Sequence, residues 1–148
     1  MHANDTAGRT EARRDRWWAL ALGAAALVLY LATLAPTVTT VFDDSLEFQV
    51  VLPSLGIAHP TGYPLYTLLG WLFSRLPVGD LAYRVNLLSA LAGAAAVAAL
   101  FLTGRRLGSG RLPAALMAGV FALSITWWSQ ATIAEVYTLH GLAVALIL

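Results

Sequence analysis

The sequence contains no cysteine and has few charged residues. Without cysteine, disulfide bonds and thiolate metal sites are excluded, and nothing indicates the redox compartment. Charged residues make up 11% of the 148 residues, whereas soluble domains average about 25%. Hydrophobic residues make up 59%, and the mean hydropathy is +0.71. This composition excludes an ordinary soluble domain and predicts a membrane protein.

Long apolar segments predict membrane-spanning helices at about 17–34, 85–103 and 112–128. A fourth segment begins near residue 136 and is too short in this sequence to span with certainty. The basic tail, residues 1–16, also resembles the start of a signal peptide. Because the first apolar run exceeds the usual length of about 7–15 residues, an uncleaved anchor is the favoured interpretation. We therefore predict an all-α fold, a polytopic transmembrane helical bundle.

The arginines indicate the orientation. They cluster before the first span and between the second and third, at Arg9, Arg13, Arg14, Arg16, Arg105, Arg106 and Arg111. The positive-inside rule places both clusters, and hence the N-terminus, in the cytoplasm. An even number of crossings must then separate them, so residues 35–84 form one external insert. Its apolar part, Tyr63 to Leu76, has only about 14 residues, and we expect it to lie along the membrane surface as an interfacial helix.

Three carboxylates lie close together in the insert, at Asp43, Asp44 and Glu47. They are candidates for a catalytic or binding cluster next to the membrane. They also resemble a helix start, with Asp44 as the N-cap and Glu47 three residues later in a capping box. The two interpretations are compatible, because Asp44 and Glu47 share one face of a helix. A divalent metal between the carboxylates fits the residue types, although no ligand spacing requires one.

Further polar residues are candidates for substrate binding. His59 and Tyr63 belong to a proline- and glycine-containing loop, which is either a plain turn or a stiff support for a site. Arg75 and Arg84 either reach lipid headgroups or clamp a phosphate. A last group, at the start of the fourth apolar segment, consists of Glu135, Tyr137 and His140. A carboxylate near membrane depth is costly unless it is paired, which favours a functional interpretation of this group.

The stretches DDSLEF, LGIAHPTGYPLYTLLGWLFSRLP and WWSQATIAEVYTLH resemble a family of prokaryotic membrane proteins long labelled a domain of unknown function. That family is similar to the protein O-mannosyltransferases and has eukaryotic transmembrane relatives. The resemblance covers roughly residues 29–148 and implies a branch of the GT-C glycosyltransferases. It implies an active site on the external face, with the essential acid of the first external loop at Asp44 and Glu47 beside it. The usual pattern has glycine where this chain has Leu46.

The resemblance implies transfer of a mannose-like sugar from a polyprenyl-phosphate donor to a protein or glycan hydroxyl. Asp44 and Glu47 would be the catalytic residues, and the remaining candidates would bind substrate. The alternative is a non-catalytic membrane fragment, a pseudoenzyme or a transporter subunit that binds lipid-linked sugar. We expect the chain to be the N-terminal portion of a larger protein in the bilayer, with no nucleic-acid partner and no cofactor that the sequence demands.

The predicted topology can be tested with single cysteines, because the chain has none of its own. In intact cells, an impermeant maleimide should label the Ser54→Cys variant and leave Ser109→Cys unlabelled, since only the first position is external under the positive-inside rule. The reverse labelling pattern would invert the topology.

Overall fold

The computed structural model describes residues 2–40 and 43–148, with side chains from residue 8 in the first range and from residue 44 in the second. Regular structure in these ranges consists of α-helices and one 3-10 helix (Leu52–Ser54), with no strand. The predicted all-α fold is thereby confirmed. In chain order the helices are α1 (His2–Thr33), α2 (Asp43–Val51), α3 (Pro64–Ser74), α4 (Leu81–Arg106), α5 (Arg111–Leu123), α6 (Ile125–Ala131) and α7 (Tyr137–Ile147).

Two helices are long and apolar enough to cross a bilayer, the Gly8–Thr33 part of α1 and the whole of α4. Helices α5 and α6 reach that length only together, and they are bent by 64° at their junction. The backbone of Ser124 leaves the helical conformation there, and its hydroxyl accepts a hydrogen bond from the Trp127 N–H at 3.4 Å. Ser124 is thus the N-cap of a new helix, which divides the segment predicted as one span at 112–128.

Helix α4 is the centre of the fold and packs against all six other α-helices. Small residues allow this close packing. A Cβ atom added to Gly23 of α1 would lie 3.2 Å from the Cβ of Ala98, and one added to Gly93 would lie 3.0 Å from the Cβ of Ala131. Lipid is as apolar as these helix surfaces, so close van der Waals packing of this kind holds membrane helices together.

An ion-pair network joins the N-terminal end of α1 to the turn between α4 and α5. The Asp15 carboxylate accepts hydrogen bonds from Arg105 at 3.0 Å and from Arg111 at 2.7 Å. The two arginine clusters of the sequence therefore lie at one end of the bundle, as an even number of crossings between them requires. The side of the membrane on which this end lies stays a prediction.

The insert between α1 and α4 lies at the other end of the bundle. Helix α3 has 11 residues, which rise about 16 Å, and this is much less than the hydrocarbon thickness of about 30 Å. It cannot cross a bilayer alone. Its exposed leucines recur at helical spacing, at Leu65, Leu68 and Leu72, a pattern typical of a helix that lies in the membrane interface. The insert packs onto α4 through Phe48 and Tyr66, which form a buried apolar cluster with residues of α4.

The close packing of α4 predicts a difference between two glycine-to-leucine substitutions. Gly93→Leu should destabilise the bundle by roughly 1–3 kcal/mol, because the added side chain has no space beside Ala131 and Thr138. Gly119→Leu is the matched control, since nothing lies within 4 Å of its added Cβ, and both changes raise helix propensity alike. Thermal unfolding in detergent, followed by tryptophan fluorescence, measures the difference. Equal melting temperatures would contradict the packing described for α4.

Candidate carboxylate–imidazole site

Helix α2 carries the carboxylates at the end of the bundle opposite Asp15 and its arginine partners. It begins at Asp43, so Asp44 lies within its first turn rather than at the N-cap. The side chain of Asp43 lies outside the described residues. Leu46 is not among the residues with positive φ, and the glycine of the family pattern is therefore not needed for the backbone here. Asp44 and Glu47 are partly exposed on α2.

Buried residues of α2 fix it to the rest of the fold. The Gln49 Nε2 donates to the Asn86 Oδ1 at 2.9 Å, and the Asn86 Nδ2 donates to the carbonyl of Ala35 at 3.0 Å. Phe48 is fully buried, and its ring packs edge-on against that of Tyr66 with centroids 5.0 Å apart. Helix α2 is thereby attached to α4 and to α3, so that its carboxylates hold a defined position.

The centre of the site is a double contact between Glu47 and His59. One Glu47 oxygen accepts the backbone N–H of His59 at 2.8 Å, and the other lies 2.5 Å from the imidazole Nδ1. The second ring nitrogen, Nε2, lies 3.3 Å from the Tyr63 hydroxyl and 3.9 Å from the Asp44 Oδ2. Tyr63 has left-handed backbone angles, with φ 44° and ψ 56°. The phenol of Tyr63 therefore lies beside the imidazole nitrogen that faces Asp44.

The same contact sets the charges of the pair. The hydrogen bond to Glu47 raises the pKa of His59, and the nearby carboxylates of Glu47, Asp44 and Glu135 add to this effect. The same hydrogen bond lowers the pKa of Glu47. Both residues are therefore charged between the lowered pKa of Glu47 and the raised pKa of His59. The contribution of this ion pair to stability is lost below that range as Glu47 gains a proton, and above it as His59 loses one.

Glu135 lies behind this pair, in the loop between α6 and α7. Its side chain is 2% exposed, and the Ser45 hydroxyl donates to its Oε1 at 3.1 Å. Its backbone N–H donates to the Ser89 Oγ, and the Ser89 hydroxyl in turn donates to its carbonyl. Its Oε2 has no hydrogen-bond partner among the side chains that the structure describes. Burial raises the pKa of Glu135 to about 7.

The two arginines predicted to clamp a phosphate make contacts elsewhere. The Arg84 guanidinium donates to three backbone carbonyls around the turn before α4, those of Ser74, Val78 and Gly79. The Arg75 guanidinium lies over the Trp71 ring, 5.2 Å from its centroid. The structure thus gives Arg84 a part in holding the turn and leaves the side chain of Arg75 exposed.

A groove of about 310 Å³ runs from the site between α3 and α7. Tyr63 lies at this groove and is also in contact with His59, while His140 and apolar side chains of both helices form the rest of the wall. Tyr137 begins α7 and is 55% exposed. The predicted residues Tyr63 and His140 therefore share one groove, and Tyr63 connects that groove to His59.

Several polar residues of the site were not among the predicted site residues. Ser45 and Ser89 hold Glu135, and Gln49 and Asn86 hold α2. A sequence signal for Asn86 and Ser89 exists, because they are three residues apart near the N-terminal end of α4 and so share the face on which the insert lies.

Two long apolar helices and a polar group at one end of the bundle define a helical membrane protein with a carboxylate–imidazole site. Over residues 44–148 the sequence matches the family described as Protein O-mannosyl-transferase TMEM260 N-terminal domain, and the chain belongs to this family. The protein named Protein O-mannosyl-transferase TMEM260 from Mus musculus is 46% identical over 106 residues, which are 71% of this chain and 15% of the relative. No solved structure matches the chain.

A second relative shows the same partial coverage. Protein O-mannosyl-transferase tmem260 from Dictyostelium discoideum is 31% identical over 124 residues, which are 82% of this chain and 15% of that relative. The chain thus spans about 15% of the length of these curated relatives. Likeness to the O-mannosyltransferases is confirmed. Both relatives are eukaryotic, and the prokaryotic family and the GT-C superfamily stay predictions.

The contact between Glu47 and His59 predicts a measurable pKa change. Glu47→Gln should lower the pKa of His59 toward the ordinary value of about 6.5, because the charged acceptor of its Nδ1–H is lost. A titration of ¹⁵N-histidine-labelled protein in micelles with a chelator measures this, with His59→Asn identifying the resonance. Asp80→Asn is the control, since Asp80 caps α4 instead. An unchanged His59 titration in Glu47→Gln would contradict the described geometry.

Proposed function

We propose that this chain forms the N-terminal part of a membrane glycosyltransferase. The enzyme would move a mannose-like sugar from a polyprenyl-phosphate donor to a hydroxyl of a protein or glycan acceptor on the external face. The names of the two relatives support mannosyl transfer. The polyprenyl-phosphate donor, the external face and the GT-C fold rest on the resemblance of the motifs and on the arginine distribution.

The accessible carboxylate of Asp44 carries the proposal. Its side chain is 46% exposed, and the one ion pair that it forms within residues 8–40 and 44–148 is the long one to His59. Glu47 differs, because each of its oxygens already faces His59, and Glu135 is buried. A general base must reach the proton that it removes. Of the three carboxylates, Asp44 is therefore assigned as the base, and Glu47 as a positioning residue that acts through His59.

The proposed step is a single displacement. The Asp44 carboxylate accepts the proton of the acceptor hydroxyl while that oxygen attacks the anomeric carbon of the sugar. The bond from this carbon to the phosphate oxygen breaks, and the polyprenyl phosphate leaves with the bonding electrons. The leaving phosphate gains charge that a cation would stabilise. Arg75 stays a candidate for this role, whereas Arg84 already donates to three carbonyls.

The groove between α3 and α7 supports the placement of the donor. Its walls include Leu65, Val136, Leu139 and Ala143, which suit an isoprenoid chain because burying apolar surface is favourable. Tyr63, at the same groove, is in contact with His59. A prenyl chain in this groove would place the phosphate and sugar beside Tyr63, within the group that contains Asp44.

Asp44→Asn tests the assignment of the base. In the full-length protein, transfer of labelled mannose from polyprenyl-phosphate mannose to an acceptor peptide should fall by roughly 10²–10⁴, the usual contribution of a general base. Asparagine keeps the shape of the side chain but does not act as a carboxylate base. Folding should be retained, because within residues 8–40 and 44–148 the Asp44 carboxylate forms no ion pair other than the long one to His59.

Asp43→Asn is the matched control, and a milder loss is expected there. Near-normal transfer by Asp44→Asn would refute the assignment, and loss in Asp43→Asn alone would move the base by one residue. Donor binding without transfer by the unmodified protein would instead support the non-catalytic alternative.

A further inference from the structure

The imidazole of His59 has one nitrogen occupied and one available. Nδ1 lies 2.5 Å from a Glu47 oxygen. In the neutral ring that donates its Nδ1–H to Glu47, Nε2 carries a lone pair. This lone pair lies near the polar atoms of Tyr63 and Asp44. A histidine that donates its Nδ1–H to a carboxylate keeps the Nε2 lone pair for another partner. Proteins present histidine to a metal ion in this arrangement.

The distance from this nitrogen to the next ligand fits a shared ion. The His59 Nε2 and the Asp44 Oδ2 are 3.9 Å apart. Two ligands that each bind one ion at about 2.1 Å are separated by roughly 3 Å when adjacent and roughly 4 Å when opposite. Ligand atoms of Asp44, Glu47 and His59 all lie within 4.8 Å of one another. An ion can therefore bind between Asp44 and His59 with small side-chain adjustments.

Near this pair, Glu135 adds a buried carboxyl oxygen that has no hydrogen-bond partner among the described residues. Its side chain is 2% exposed, and the oxygen without a partner is Oε2. Ser45, which donates to its other oxygen, follows Asp44 directly in α2, and Glu135 interacts electrostatically with Asp44 and His59. A buried carboxylate is costly unless it is paired.

The charges around the site do not balance. The carboxylates of Asp44 and Glu47 face a single imidazole, and within residues 8–40 and 44–148 no arginine forms an ion pair with either of them or with Glu135. We propose that Asp44 and His59 bind a divalent cation, with Glu47 holding the imidazole through Nδ1 and Glu135 adding negative charge from behind α2. The ion replaces the contact of the Tyr63 hydroxyl with Nε2.

The ligand atoms indicate the kind of cation. An imidazole nitrogen together with a carboxylate suits transition ions such as Mn²⁺ and Zn²⁺, whereas Ca²⁺ and Mg²⁺ prefer oxygen ligands throughout. The Asp44 carboxylate has a second oxygen, so binding the ion leaves an acceptor atom for a substrate proton. The site does not depend on the proposed transfer reaction, and binding can be measured without a sugar donor.

The test is metal binding to the purified full-length protein in detergent, stripped with a chelator and held at pH 8 to limit proton competition. Mn²⁺ binding is followed by electron paramagnetic resonance, with Zn²⁺ and Ca²⁺ as competitors. We expect a saturable Mn²⁺ site from which Zn²⁺, and not Ca²⁺, displaces the ion. His59→Asn and Asp44→Asn should weaken this site by more than about 100-fold, and Glu47→Gln by about 10–100-fold, as for other residues that orient a ligand.

Asp80→Asn is the matched control and should bind Mn²⁺ as the unmodified protein does. A second measurement locates the ion: Zn²⁺ should shift the Nε2 resonance of ¹⁵N-labelled His59 while Nδ1 stays protonated. The proposal is overturned if Asp44→Asn and His59→Asn both bind Mn²⁺ normally, or if Zn²⁺ leaves Nε2 unshifted. The Asp44 side chain is 46% exposed, so Asp44→Asn should fold even if His59→Asn does not. In that case, normal Mn²⁺ binding by Asp44→Asn alone overturns the proposal.

Discussion

The two hydrogen bonds between Glu47 and His59 are the constraint on which the site depends. They join helix α2 to a loop residue twelve positions later, and they hold both the main chain and the ring of His59. A single hydrogen bond would leave the imidazole free to rotate about its bonds. With both in place, Nε2 has a defined direction toward Asp44, and Tyr63 has a defined partner. Substituting Glu47 would therefore disturb the positions of residues that it does not itself touch.

Helix α4 supplies the foundation for this arrangement. Its middle is made of small residues that let neighbouring helices approach closely, while its N-terminal end carries Asn86 and Ser89. These two side chains hold α2 and the loop of Glu135 by hydrogen bonds that are buried or partly buried. The small residues of α4 that pack against other helices thus lie in its middle, and the polar residues that hold the site lie at one end. A polar group inside the lipid region would be costly, whereas at the end of the bundle it can be satisfied by the insert.

The parts of the fold that were predictable from the sequence depend on local hydrophobicity. The length of the apolar runs and their low charge predicted the all-α fold, and the helices at 17–33 and 85–103 are continuous because nothing interrupts them. The break at Ser124 was not predictable, since the apolar run continues past it and only the backbone shows that the serine caps a new helix. In the site, the spacing of Asp44 and Glu47 predicted a shared helix face. The partner of Glu47 lies in a loop twelve residues later, and the three carbonyls around Arg84 depend on how the turn before α4 folds back. Single-residue patterns reveal neither contact.

The left-handed backbone of Tyr63 has a consequence for how such a chain evolves. A bulky residue with positive φ costs free energy that glycine or asparagine would avoid, and helix α3 begins at the next residue. Selection for stability alone would replace this tyrosine. Stabilising substitutions at this position would trade against the aromatic and hydroxyl contacts that the ring makes with Phe48 and His59. Tyr63 is accordingly a position where a laboratory search for thermostable variants and a search for active ones would select different residues.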